Sequence, residues 1–378
     1  MTHTTSPITI IGAGIGGLTT ALALKQQGIQ AAIYESSPEI KPVGAGIIMA
    51  HNAMQVFEKL GIHHTIEKAG HSISHIKITN AQGAILSSLD LSEYEQKYGV
   101  HNIAIHRGEL QKILAEEIGY DRIHLNKRLS QIEKKEIYDL TFEDGSTLKS
   151  SFVIGADGIK SVVREQLFPK STIRSANQKC WRGICEIQLP QKYHHQAIEA
   201  WGKGKRFGFS KISDTKVYWF AVVNSKKDQT EETDLASLFG EFHSDMLDLI
   251  LATPKEQIIV NDIIDLKPIS KWQDGNSCLL GDAAHATTPN LGQGACQAVE
   301  DAYVLGKLLA QGMPFEQGCK EYEKIRVKKA HSIVNTSWAL GKMAHFENSA
   351  GIWLRNSLVK NIPLSVNRKQ LEMIFTLP

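Results

Sequence analysis

The stretch that most restricts the fold runs from Ile8 to Glu35. Ile8–Ile11 is an unbroken apolar run, followed by Gly12-Ala13-Gly14-Ile15-Gly16-Gly17. Apolar residues then recur at Leu18, Ala21, Leu22 and Leu24 with helical spacing. Gly28 stands where that helix should end. Gln30–Tyr34 predicts a second buried strand, and Glu35 closes it 23 residues after Gly12. Strand, turn, helix and strand in this order build a parallel sheet. Within the turn, Gly12 permits the tight bend, Gly14 lets a pyrophosphate approach the backbone, and Gly17 lets helix lie close on strand. An acid at the end of the second strand is placed to accept ribose hydroxyls. The unit therefore reads as a dinucleotide-binding βαβ element.

Two more strand-to-acid junctions follow. Phe152–Ala156 ends at Asp157-Gly158, with Ser161 and Arg164 on a short helix beyond. A grip on the same ligand and a plain turn with an N-cap aspartate are both open there. Ser277–Leu280 ends at Gly281-Asp282 and leads through His285 and Pro289 to Gly292-Gln293-Gly294. A helix begins at that loop, marked by Ala295, Ala298, Val299, Ala302, Leu305 and Leu309. Bare amides at its start attract an anion or a polarisable ring edge. His285 reads as a hydrogen-bonder that orders its loop rather than as a base. Between the first two junctions lies Pro42-Val43-Gly44-Ala45-Gly46-Ile47, either a simple loop or a ligand-facing one. Arg107 stands between a strand, Asn102–His106, and a helix, Glu109–Ile118. From there it can reach a phosphate or ring edge, or remain on the surface.

The rest of the chain supplies a second body. A helix over Asn52–Leu60 closes at Gly61, and His75–Asn80 with Ile85–Leu89 forms a hairpin around Gln82-Gly83. Asp90–Gly99 is polar and reads as a mobile loop. Arg122–Leu125, Leu129–Lys135 and Tyr138–Phe142 predict a small antiparallel meander with a turn at Asp144-Gly145. Strands rich in Trp, Tyr, Phe and Val, with turn signals at Gly202-Lys203-Gly204 and Ser213-Asp214, then predict an antiparallel sheet over Lys179–Gln188, Ala197–Ile212 and Lys216–Asn224. A helix over Asp234–Leu251 and a strand over Gln257–Leu266 complete it. Pro314 starts a long helix to about His345, and Gly351–Lys360 and Arg368–Phe375 are closing helices. Trp353, Leu354, Leu358 and Val359 are expected to pack on the body rather than touch a membrane or partner. The fold class expected is α/β. A discontinuous Rossmann-like domain (1–72, 101–172, 269–345) carries an inserted, mostly antiparallel β-sheet domain (73–100, 173–268) and a C-terminal helical segment (346–378).

Composition excludes several classes. The 378 residues carry 42% apolar and 22% charged side chains and a net charge of +2, without a basic footprint for nucleic acid. The Lys320–Lys329 cations read as a solvated helix face. Five cysteines, with no C-x-x-C pair, argue for a reducing compartment and against a zinc site or disulfide framework. No run reaches the roughly 18 apolar residues of a membrane span. Met1–Ser6 is polar and leads straight into a strand, so no signal peptide is expected and the chain is placed in the cytoplasm.

In this order the motifs resemble the group A flavoprotein monooxygenases, the FAD-dependent aromatic hydroxylases with the p-hydroxybenzoate hydroxylase fold. The nearest branch is that of the salicylate and urate hydroxylases and zeaxanthin epoxidase. The resemblance implies FAD, with Gly12, Gly14 and Gly17 on its pyrophosphate and Glu35 on the adenosine ribose. It implies Arg107, Asp157 and Gly158 as further FAD contacts, the last two also tied to the nicotinamide coenzyme. Asp282 would meet the ribityl chain, while Pro289, Gly292, Gln293 and Gly294 would lie against the isoalloxazine. Gly46 matches the loop on the substrate side, and Arg182, in Trp181-Arg182-Gly183, matches an arginine facing the substrate, the other reading being an arginine on the outward face of its strand. Ser36-Ser37 depart from the pattern, since many relatives carry a cation directly after the ribose acid. The implied activity uses NADH or NADPH as co-substrate and O2, and inserts one oxygen into a small aromatic or heteroaromatic molecule through a flavin C4a-hydroperoxide. The alternatives are an epoxidase or hydroxylase of a larger apolar compound, or a flavin-binding protein without turnover. A monomer or homodimer is expected.

Overall fold

The computed structural model describes residues 7–40, 44–225 and 234–378; Met1–Ser6 and the Pro42-Val43 part of the glycine loop lie outside the described residues. Its α/β architecture rests on a five-stranded parallel sheet in the order Ser277–Leu279, Val153–Gly155, Ile8–Ile11, Ala31–Tyr34, Ile123–His124. All four residues of Ile8–Ile11 are buried, as a central parallel strand covered on both faces requires. Helices Ile15–Gln26 and Gly294–Ala310 pack together over the sheet, with Gly306 against Ala23 so closely that a Cβ there would stand 2.9 Å from the alanine methyl. Tyr34 stacks on Phe142 at 5.2 Å, which fastens the sheet to a separate antiparallel meander.

The meander consists of Leu129–Lys134, Tyr138–Phe142 and Thr147–Ser150. Ile123–His124, expected as its first strand, instead pairs in parallel with Ala31–Tyr34. Two residues carry too little pattern to say which sheet they join. A three-stranded sheet, Gly46–Met49, Asn102–His106 and His71–Ile73, leads to the large one.

That large sheet has seven strands in the order Ile259–Leu266, Ile173–Glu186, Lys216–Asn224, Lys205–Lys211, Gln196–Trp201, His75–Asn80, Ile85–Asp90. All neighbours are antiparallel except Gln196–Trp201 with His75–Asn80. Alternation gives it two faces. Trp181, Phe207, Phe209 and Trp219 are buried with Phe239, Met246 and Leu249 from two short helices on one side. Arg182, Tyr218, Phe220 and Arg206 occupy the other. The helix expected over Asp234–Leu251 is broken into Leu235–Leu238 and Ser244–Leu251. Gly240 interrupts it, and the side chains of Asp234 and His243 cap the two new starts.

One further expectation fails, and two hold only in part, Lys320, Lys324 and Lys328 being solvated as expected and Val359 packed on the body. Asp90–Gly99 is not a loop but holds helix Ser92–Tyr98: Asp90 accepts the Ser92 N–H at 2.9 Å, and Gly99 ends it at φ +72°. Tyr94 is buried against His51 and Phe375, an apolar anchor hidden in a polar sequence. Within the Lys320–Lys329 run, Arg326 is wholly buried in the long helix Phe315–Ala344, held by acids on the neighbouring helix. Of the four closing-helix side chains only Val359 is buried, while Trp353, Leu354 and Leu358 are 72%, 50% and 55% exposed.

Candidate active site

Three adjacent parallel strands are in register, with Ile11 beside Gly155 and Gly155 beside Leu279. Their carboxyl ends therefore release Gly12, Asp157 and Asp282 side by side. Ile11 is also level with Tyr34, so Glu35 joins the same edge. In open α/β sheets, ligands bind outside this edge.

The glycines fit a phosphate-bearing chain by the space they leave. Gly12 has φ +104°, and a Cβ there would stand 2.5 Å from the Ala156 carbonyl oxygen. A Cβ on Gly17 would stand 2.1 Å from the Gly12 carbonyl oxygen, so helix and turn touch backbone to backbone. Gly14 instead faces open space, and with Gly12, Glu35, Asp157 and Gly158 it lines a cavity of about 250 Å³. Glu35 accepts the Ala13 N–H at 2.7 Å and the Ser37 N–H at 2.8 Å. Burial would raise its carboxyl, but these donors and Ser36 outweigh burial and hold it below the ordinary glutamate range. It is a fixed anion that also clamps the turn. Asp157 accepts the Val162 N–H at 2.7 Å, so it serves its helix as an N-cap would. Its Oδ1 is buried without a partner among the described residues, and burial raises its carboxyl. Arg164, wholly buried, ties this junction to the next by donating to the Ala283 carbonyl at 3.0 Å.

At the third junction Asp282 is exposed beside Gly294, where a Cβ would stand 3.9 Å from its Oδ1. Pro289–Leu291 is a short 3-10 turn, and Gly292 follows at φ +61°. Pro289 and Gly292 are exposed while Gln293 is buried, its Oε1 accepting from Asn52 and Gln297 at 3.1 Å each. The side chain turns inward, so backbone lines the outer surface where the first amides of helix Gly294–Ala310 have no helical acceptor. Beneath lies a buried ionic network. Arg326 donates to Glu300 Oε2 at 2.6 Å and Asp301 Oδ1 at 2.7 Å, Lys329 meets Glu300 at 2.9 Å, and His285 meets Asp301 at 2.6 Å. Burial would raise the Asp301 carboxyl, but His285 and Arg326 outweigh it and hold it far below the usual range. His285 thus orders its loop, which agrees with the structural role read from the sequence.

The large sheet approaches this edge through Tyr218. A Cβ on Gly46 would stand 2.4 Å from the Tyr218 ring, so only glycine admits this contact. Burial raises the Tyr218 phenol, against the opposing pull of Arg182, and keeps it a neutral donor. Arg182 lies on the same face and donates to Asn261 at 3.2 Å. Arg107 is exposed and flanks Gly44, where a Cβ would stand 3.6 Å from the arginine Cβ. Of the aromatic side chains on the neighbouring strands Lys205–Lys211 and Lys216–Asn224, Tyr218 and Phe220 face this side, while Phe207, Phe209 and Trp219 lie on the other.

The sequence reading missed two groups. Lys127 and Arg128 line the cavity with Glu35 and bring cations to the place where Ser36-Ser37 lack one. Arg206 is 1% exposed and donates to Glu199 at 2.9 Å and to Asn290, in the Pro289–Leu291 turn, at 2.5 Å. Its turn, Lys203-Gly204-Lys205-Arg206, looks like surface in sequence. The strand register that places Arg206 opposite Val222 is a tertiary fact. Among the described residues, His63, His64 and Glu67 form the one group of three or more metal-ligating side chains whose ligand atoms all lie within 4.8 Å of one another, and they belong to none of these elements.

Comparisons with known proteins agree with this geometry. The family described as "FAD binding domain" matches residues 5–337. The chain is 36% identical over 358 residues to an aurachin C monooxygenase/isomerase of Stigmatella aurantiaca, covering 93% of each. It is 31% identical over 377 residues to a 2-heptyl-3-hydroxy-4(1H)-quinolone synthase of Pseudomonas aeruginosa, covering 98% of this chain and 97% of that one. The structure of Klebsiella pneumoniae HpxO with FAD and uric acid superposes with a TM-score of 0.90 at 27% identity, covering 98% of this chain and 97% of that one. With its strand-end junctions aligned on one sheet edge and its length matched almost throughout, this chain belongs to the FAD-binding-domain family of FAD-dependent aromatic monooxygenases and is an oxidoreductase.

Proposed function

We propose that the protein consumes NADH or NADPH and inserts one atom of O2 into a small aromatic or heteroaromatic substrate held between the FAD edge and the seven-stranded sheet. The observation that carries this reading is the row of strand ends, Gly12, Glu35, Asp157 and Asp282, across which one extended ligand can lie. Gly12, Gly14 and Gly17 would hold the FAD pyrophosphate, Glu35 the ribose, and Asp282 the ribityl chain. Arg107, Asp157 and Gly158 would flank them. Pro289, Gly292, Gln293 and Gly294 would lie against the ring. The chemistry supplied by the bound flavin is hydride acceptance from the coenzyme and delivery of one oxygen atom from O2, the other leaving as water.

The chain's own residues bind, orient and exclude water. The positive end of helix Gly294–Ala310 would steady negative charge on the reduced ring. Tyr218 and Arg182 would orient the substrate, the phenol by donating a hydrogen bond and the guanidinium by pairing an acidic group. Phe220 beside them would keep water out. The quinolone of the Pseudomonas synthase and the uric acid bound to HpxO are both fused nitrogen rings with carbonyl groups, and this favours a nitrogen heteroaromatic here.

The test is a panel of 4-quinolones, purines and aromatic acids with the FAD-loaded protein, following coenzyme loss, product and peroxide together. A substrate matches coenzyme loss to product with little peroxide; a yellow protein stimulated by no ring class would overturn the reading. Arg182→Ala should raise KM for an anionic substrate about ten-fold or more while FAD content holds. Unchanged kinetics would remove Arg182 from the site.

A further inference from the structure

The last two helices expose apolar surface that no other described residue covers. In helix Ser349–Lys360 the inward residues are Arg355 and Val359; Arg355 donates to the Gly202 and Ala344 carbonyls, and Val359 packs with Leu86 and Trp201. The outward face presents Trp353, Leu354 and Leu358, with Lys360 beside them. Ile362 in the following turn, and Leu364 and Val366 in helix Leu364–Phe375, add 38%, 72% and 53% exposed side chains. Single exposed apolar residues are ordinary, but six between positions 353 and 366, Trp among them, form a patch.

Charge selects the occupant. The Ser349–Phe375 segment contains Arg355, Lys360, Arg368 and Lys369 against one acid, Glu372, in a chain whose net charge is +2, and Arg355 is buried. Lys360, Arg368 and Lys369 are exposed, Arg368 reaching Glu93 at 3.0 Å. A two-fold contact would set this cationic patch against its own copy, like charge on like. Each helix has 12 residues, too short to span a bilayer, and no helix among the described residues is long and apolar enough to cross one. Apolar side chains beside the exposed Lys360 and Lys369, with the hairpin's one carboxylate, Glu372, already engaged by Lys97 at 3.1 Å, match an anionic lipid surface, where Trp and Leu enter the headgroup boundary and Lys meets lipid phosphates. We infer that the Ser349–Phe375 helical hairpin is a peripheral attachment site for anionic membranes, lying on the surface rather than across it. This goes beyond the oxygenation reading and does not depend on it.

The experiment uses the full-length, FAD-loaded protein and phosphatidylcholine vesicles with or without phosphatidylglycerol. The protein should co-sediment with the phosphatidylglycerol vesicles, less with pure phosphatidylcholine, and less again in high salt. The triple change Trp353→Ser, Leu354→Ser, Leu358→Ser should weaken sedimentation about ten-fold or more, with FAD content and thermal midpoint held. Protein left in the supernatant at low salt would overturn the inference. So would a wild-type dimer that the triple change converts to monomer, since a second copy would then cover the patch.

Discussion

At the scale of single residues, the same added methyl has different consequences at Gly14 and Gly17. Gly17→Ala drives a Cβ to within 2.1 Å of the Gly12 carbonyl oxygen, backbone against backbone, so the turn or helix must shift. A loss of about 1–3 kcal/mol in stability of the FAD-free protein is expected. Gly14→Ala meets nothing within 4 Å and should leave that stability unchanged. On the proposed placement of the FAD pyrophosphate its methyl would stand in the phosphate's way, so FAD affinity should fall. Urea unfolding of the FAD-free proteins beside FAD titration separates the two effects. Equal destabilisation by both changes would refute the space argument. These glycines were legible in sequence because their constraint is local and steric. Arg206 was not, because its role depends on Asn290, 84 residues away.

Among elements, helices Gly294–Ala310 and Phe315–Ala344 are joined by charges that both bury. Glu300, Asp301 and Arg326 are wholly buried, and Lys329 bridges Glu300 to the Thr376 carbonyl at 2.8 Å. Breaking one member leaves uncompensated charge in the interior, which costs about 3–5 kcal/mol. Arg326→Met should therefore destabilise the protein by that order. Because Gln293 hangs from the same network, it should also loosen FAD retention. Calorimetry and flavin content after gel filtration would check this. A stable, fully yellow variant would show that the network does not position the loop. The helices themselves followed from apolar periodicity. That Arg326 is buried did not, because a cation run looks alike whether it faces water or another helix's acids. The Ser92–Tyr98 helix escaped notice for the converse reason, its single anchor Tyr94 lying among polar residues.

For the whole molecule, two buried histidines couple stability to pH. Burial and, behind it, the nearby His101 push His51 down to about 4. Burial and the Arg206 charge push His345 down to about 3. Both are neutral in the fold, whereas an unfolded histidine takes up a proton below about pH 6.5. Their contribution to stability is complete above that value and is lost as pH falls toward 4. The slope is at most about 1.4 kcal/mol per pH unit for each. His51→Phe, which suits the ring cluster of Tyr94, Tyr98 and Phe375, should flatten urea-unfolding stability between pH 6.5 and 5. An unaltered slope would mean that His51 does not titrate as described.

By itself the sequence determined the βαβ opening, the three strand-to-acid junctions and the α/β fold, and the order of those motifs carried the resemblance that implied FAD. The local elements rest on short-range rules: glycine where a turn is tight, an apolar period, an acid at a strand end. Tertiary structure alone decided that the junctions stand in register on neighbouring strands and that Phe207 and Trp219 turn away while Tyr218 and Phe220 turn in. It also decided that Arg326 is buried and that Trp353 is not. Face and burial are properties of a pair of surfaces, and a single segment does not specify its partner.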